Sequence, residues 1–139
     1  MSIGDGTMGG PSVWSAKAYV NVQNRFNLAQ VPVAAVSAGT SAYTNNTGGQ
    51  VVITDLILCE ISGANTTFSI RHLPSGTTAP GTTANNLATG ASGTAEVLAN
   101  DTLFFLDSGD TIVLDPGDVL WIGAAASSRL VATIYGLKP

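Results

Sequence analysis

The segment VVITDLILCEI, Val51 to Ile61, reads as the strongest β-strand in the chain. Strict alternation puts Val51, Ile53, Asp55, Ile57, Cys59 and Ile61 on one face and Val52, Thr54, Leu56, Leu58 and Glu60 on the other. Neither face is polar enough to stand in water alone, so the strand is expected at the centre of a sheet. One face would fill a core, and the other would meet a second layer or another subunit. On this reading Val51, Ile53, Ile57 and Ile61 are the candidate subunit contacts.

Outward from that strand the chain keeps an all-β punctuation. The cluster NNTGG (Asn45 to Gly49) precedes it, and its residues tolerate positive φ, which marks a turn. After the turn SGANT comes TTFSIRHL, expected as a hairpin partner of the central strand. Residues 74–93, PSGTTAPGTTANNLATGASG, carry one large apolar side chain, Leu87, and read as a long loop. TAEVLA, TLFFLD, DTIVL, VLWIGA and RLVATIYGL then read as further strands, separated mostly by NDT, DSGD and DPGD. In DPGD, Pro116 presets φ and Gly117 permits positive φ, so Leu114 and Val119 should run antiparallel. Turn signals spaced at about 8 to 12 residues indicate an antiparallel β-sandwich, jelly-roll-like, and not an α/β fold.

Towards the amino terminus, VWSAKAYVNVQ alternates, with Trp14, Ala16, Ala18, Val20 and Val22 on the side that would bury, and suggests a first strand. NRFNLAQVPVAAV fits either a helical turn or a strand, because Pro32 lacks an amide donor. Residues 1–12, with four glycines and Pro11, read as a flexible arm ahead of one domain over 13–139.

Composition bounds the function. Only 10% of the 139 residues are Asp, Glu, Lys or Arg, against roughly 25% in an average domain. Ser, Thr, Asn and Gly supply the polarity, and such a surface meets a neighbour without stripping water from many ions. An assembly subunit is the expectation, with other copies of the chain as partner. The five bases, Lys17, Arg25, Arg71, Arg129 and Lys138, are scattered, so nucleic acid is not an expected partner. No run approaches the roughly 18 apolar residues of a membrane helix. The amino terminus has neither the basic start nor the apolar run of a signal peptide, which points to synthesis in cytoplasm.

Chemistry-bearing residues do not converge. Six of the nine acids fall between Glu96 and Asp118 with no base among them. They sit at the ends of short strands and lack the D-x-D-x-D-G order of a calcium loop, so turn chemistry is the stronger reading and no metal or cofactor is expected. A lone histidine, His72, could act as a base with Asp55 or Glu60, but no motif singles out a nucleophile, so an enzyme is not expected. The lone Cys59 should behave as a small apolar residue. Trp14, Trp121, Tyr19, Tyr43 and Tyr135 could form a platform that stacks on a sugar, which keeps a carbohydrate-binding module as an alternative, although Trp121 inside VLWIGA and Tyr135 inside VATIYGL fit anchors of the core or of a subunit contact better.

Taken together, YTNNTGGQVVITDLILCEISGANTTFSIRHLPSGTTA, LANDTLFFLDSGDTIVLDPGDVLWIGA and VATIYGLKP resemble small virion structural proteins of tailed bacteriophages, over roughly residues 43 to 137. The resemblance implies a jelly-roll-like subunit, either a capsid decoration (cement) protein or part of a fibre, tail or baseplate. The first of these implies a virion protein on the capsid surface, a homotrimer over junctions of the major capsid protein. Trp14 and the Gly-rich arm would then reach the shell.

Overall fold

The computed structural model describes residues 25–77, 85–89, 95–106 and 109–139. The expected arm over 1–12, the strand over 13–23 and Trp14 lie outside the described residues.

Among the described residues there are ten strands: β1 (Arg25–Pro32), β2 (Thr40–Thr44), β3 (Val51–Glu60), β4 (Thr66–Leu73), β5 (Asn86–Thr89), β6 (Glu96–Val97), β7 (Thr102–Phe104), β8 (Ile112–Leu114), β9 (Val119–Ala124) and β10 (Leu130–Leu137). Sheet I has the order β2-β9-β4-β5, with β6 also on β4, and sheet II the order β1-β10-β3-β7, with β8 also on β3. All the strand pairs are antiparallel. β5 and β6 act as one interrupted strand against β4, and β7 and β8 as one against β3. The eight strands that result are ordered first-eighth-third-sixth in one sheet and second-seventh-fourth-fifth in the other. That is the jelly-roll arrangement of two interleaved Greek keys, so the expected all-β antiparallel sandwich is the observed one.

The core lies between the sheets. Leu56, Leu58, Ala132 and Ile134 from sheet II meet Phe68, Ile70, Leu120 and Ile122 from sheet I, all buried in one cluster. Phe68 meets Phe105 edge-on, with centroids 6.3 Å apart and planes at 88°. Each such aliphatic side chain, once out of water, contributes about 1.5–3 kcal/mol.

Three local expectations are corrected. β4 is not a hairpin partner of β3. The two strands lie in opposite sheets, because β3 already has β10 on one edge and β7 and β8 on the other. The DPGD turn forms with Gly117 at φ +86 and Asp118 N donating to the Asp115 carbonyl at 3.0 Å, yet β8 and β9 also part to different sheets. Finally, the stretch read as a long loop contains β5, whose Ala88 packs against the core. The ambiguous run around Phe26 resolves as strand β1, with Pro32 as its last residue, at the edge of sheet II where a missing amide breaks no ladder.

Candidate interaction surface

A single irregularity in β3 decides what this protein shows to its surroundings. Along β10, Tyr135 pairs with Asp55 but the next residue, Gly136, pairs with Ile53, so Thr54 is an extra residue in β3. A bulge of this kind moves every later side chain to the opposite face. The inner face is therefore Val51, Ile53, Leu56, Leu58 and Glu60, and the outer face Val52, Asp55, Ile57 and Cys59. The four proposed contacts divide accordingly. Val51 and Ile53 are wholly buried within the sandwich, whereas Ile57 is half-buried and Ile61 is 55% exposed. Only the last two have surface to offer a partner.

Neighbouring strands extend the outer face. Ile57 pairs with Phe104, Val52 with Val113 and Leu137, and Cys59 with Val131. Phe104 is 60% exposed and Val113 43% exposed. None of these apolar side chains belongs to the core. Within the strands of sheet II the outward charges are Arg25 and Asp55, paired with each other; Arg129, just before β10, stands at the end of the face, where its carbonyl accepts from Ile61 N at 2.9 Å. Arg25 also lies over the Tyr135 ring, 5.5 Å from its centroid, and Thr54 Oγ1 donates to Asp55 at 2.8 Å. Phe104 and Val113 were missed in the sequence because β7 and β8 are three residues each, too short to display a period. The available signal was that TLF and IVL have apolar residues where alternation calls for polar ones.

Sheet I hides its outer face. Trp121, on the outward side of β9, is only 1% exposed yet lies outside the core cluster. The turn after β1 covers it. A Cβ at Gly39, which has φ +63, would overlap the indole, and one at Gly123 would come within 2.7 Å of its Cη2 and 2.9 Å of the Val36 Cα. The turn is held down by Val36 N donating to the Ala124 carbonyl at 2.7 Å and by Ala124 N donating to the Ala34 carbonyl at 3.0 Å. From the side, the Arg71 guanidinium stacks on the indole at 4.8 Å while its Nε donates to Asn86 Oδ1 at 2.8 Å. Trp121 thus anchors a turn and is not free to stack on a sugar.

Among the described residues two carboxylates are buried, and they tie turns at opposite ends of the sandwich. At one end Asp118 accepts from Ser75 N at 2.9 Å, from Asp115 N at 3.0 Å and from His72 Nε2 at 2.8 Å. Burial alone would raise its pKa, but these donors and the nearby imidazole hold it below the usual range. Next to it, buried Asn45 donates to the carbonyls of Gly49 and Leu114. At the other end Glu60, 2% exposed, accepts from Ser62 N and Gly63 N at 2.9 Å, from Asn100 N at 2.9 Å and from the Ser62 hydroxyl. Burial again opposes ionisation, and the donors prevail, bringing the Glu60 pKa from 4.5 to about 2.

These contacts fix where several candidate residues sit. His72 is partnered by Asp118, and neither Asp55, bound to Arg25, nor Glu60, at the far end of β3, faces it. The Asp118 oxygens are taken by N–H donors, which is the turn chemistry expected of the acidic stretch. A cleft of about 360 Å³ at the edge between the sheets is lined mainly by Phe68, Leu87, Ala88, Leu103 and Phe105, with Glu96 as the one ionisable side chain among its described lining residues. No known family model matches the chain, and comparison with curated proteins and with solved structures likewise yields no match.

Proposed function

We propose that this chain is a structural subunit of a tailed-bacteriophage virion, a decoration protein that sits on the outside of the head as a homotrimer and clamps neighbouring copies of the major capsid protein. The observation that carries the reading is the neutral, apolar outer face of sheet II on a charge-poor jelly roll. A side chain such as Phe104, 60% exposed, is costly to leave in water and is accounted for when an assembly covers it. The resemblance of residues 43 to 137 to small virion proteins supplies the kind of assembly.

Decoration acts by mass action. A subunit that binds the closed lattice and not its dissociated parts shifts the equilibrium towards the lattice, and a trimer that engages several sites at once gains further through effective concentration. Neither effect needs a catalytic group, and the proposal assigns none.

Electron microscopy of purified particles carrying a labelled chain tests the reading. Density for the chain at capsid-subunit junctions, and heads that rupture at lower temperature when the chain is omitted, are the expected results. A chain found only on the tail, fibre or baseplate, or absent from particles, overturns it.

A further inference from the structure

We propose that the outer face of sheet II, built by Val52, Ile57, Phe104, Val113, Val131 and Leu137, is the surface through which one copy of this chain binds a second copy. The inference rests on the reading of the chain as a self-assembling subunit and names the surface that does the assembling.

Three observations select a second copy as the occupant. The first is area. The face is four strands wide and about eight residues long, which at strand spacings of about 4.8 Å and rises of about 3.4 Å is roughly 500 Å² in projection. Accessible area exceeds projected area on a ribbed surface, so the face approaches the ~800 Å² per partner of a standard interface.

The second is charge. The chain carries a formal net charge of -4, so two copies repel unless they meet where that charge is absent. Within its strands the face holds one Arg25–Asp55 pair, with Arg129 at its end beside Ile61, while Asp101, Asp110 and Asp115 stand exposed in or beside the turns. In a trimer such a face meets a different patch of the next copy, and its strands bring no uncompensated ion into the contact.

The third is contrast within the molecule. Sheet I covers its outward tryptophan with the chain's own turn, but no described segment is laid over the outer face of sheet II. Among its polar side chains, Gln30 Nε2 donates to Thr133 Oγ1 at 3.3 Å.

Cys59, the single cysteine of the chain, lies half-buried on this face and reports on it without any substitution. Light scattering after size exclusion should give the native chain a mass that is a multiple of 14.1 kDa, with Cys59 protected from a maleimide. Phe104→Asp should reduce the mass to that of one chain and speed Cys59 labelling at least tenfold, with the far-UV spectrum unchanged. Should Phe104→Asp fail to fold, Val113→Lys, at the other end of the face, carries the same expectation. A native monomer at every concentration overturns the inference, as does a folded variant that keeps the native mass, or immediate labelling of Cys59 in the native oligomer. A monomer with protected Cys59 also overturns it, since the cover would then be the chain's own amino-terminal residues. Loss of the oligomer through this face in a chain absent from the capsid removes the decoration reading alone. Presence on the capsid with the native mass kept in Phe104→Asp removes the interface alone.

Discussion

The two outer faces of this sandwich solve one problem in different ways. Both carry large apolar side chains on the side away from the core. On sheet I the chain spends residues 34 to 39 to cover Trp121, holding the turn with backbone bonds to Ala124 and stacking Arg71 on the indole at 4.8 Å. On sheet II it spends nothing comparable, and Phe104 and Val113 stay open to water. A face sealed by its own chain contributes to folding, whereas a face left bare and neutral is free to contribute to association. The difference separates the residues that should unfold the subunit from those that should only take it apart.

The largest effect is expected where the cover is removed. Trp121→Ala should cost about 3–5 kcal/mol in denaturant unfolding, the range for deleting a buried aromatic side chain. It should leave the oligomeric mass of the folded fraction unchanged, since the residue faces away from sheet II. An equally stable variant would mean that the turn over β9 seals nothing.

Asp118→Ala comes next. It leaves the amides of Ser75 and Asp115 without their acceptor and frees His72, at an expected cost of about 2 kcal/mol. Asp115→Ala, whose exposed carboxylate is offered, among the described residues, only Gln50 Nε2 at 2.9 Å, should fall within about 0.5 kcal/mol of the native chain. Equal costs for the two would remove the distinction between anchored and solvated turn acids.

The acid limb of stability tests the opposite end. Glu60 titrates at about 2 in the folded chain against an ordinary 4.5, so the unfolded chain takes up its proton first as the pH falls. The stabilisation is complete above the ordinary value and is lost progressively between about pH 4.5 and pH 2. Asp118, shifted in the same direction, adds to the slope. Glu60→Gln should flatten the pH dependence of unfolding in that window, and a variant with the native slope would contradict the assignment.

The smallest effect on folding is expected on the bare face. Phe104→Asp should change the stability of the isolated subunit by no more than about 0.5 kcal/mol, as surface substitutions do, even though it abolishes association. A loss of several kcal/mol would show that the face belongs to the fold.

Much of this architecture was legible in the sequence, and the parts that were not share a cause. Turn chemistry is local, so NNTGG and DPGD announced their turns through residues whose own backbone preferences make them. Which sheet a strand joins is not local. In a jelly roll most successive strands change sheets, and neither SGANT nor DPGD differs in composition from a true hairpin loop, so β3–β4 and β8–β9 were both read as neighbours. The exposure of the candidate contacts was half legible. Alternation kept Ile57 and Ile61 at the surface, but Thr54 gives no sign of being an extra residue, and one bulge was enough to put Val51 and Ile53 inside. Trp121 was readable as an anchor, though not as one lying outside the core, because its cover comes from a segment more than 80 positions earlier in the chain.

Thermal unfolding at protein concentrations about a hundredfold apart tests the central claim most directly. If copies bind through the outer face of sheet II, the native Tm rises with concentration by mass action, and the Tm of Phe104→Asp stays flat. A native Tm independent of concentration, equal to that of the variant, would contradict the account.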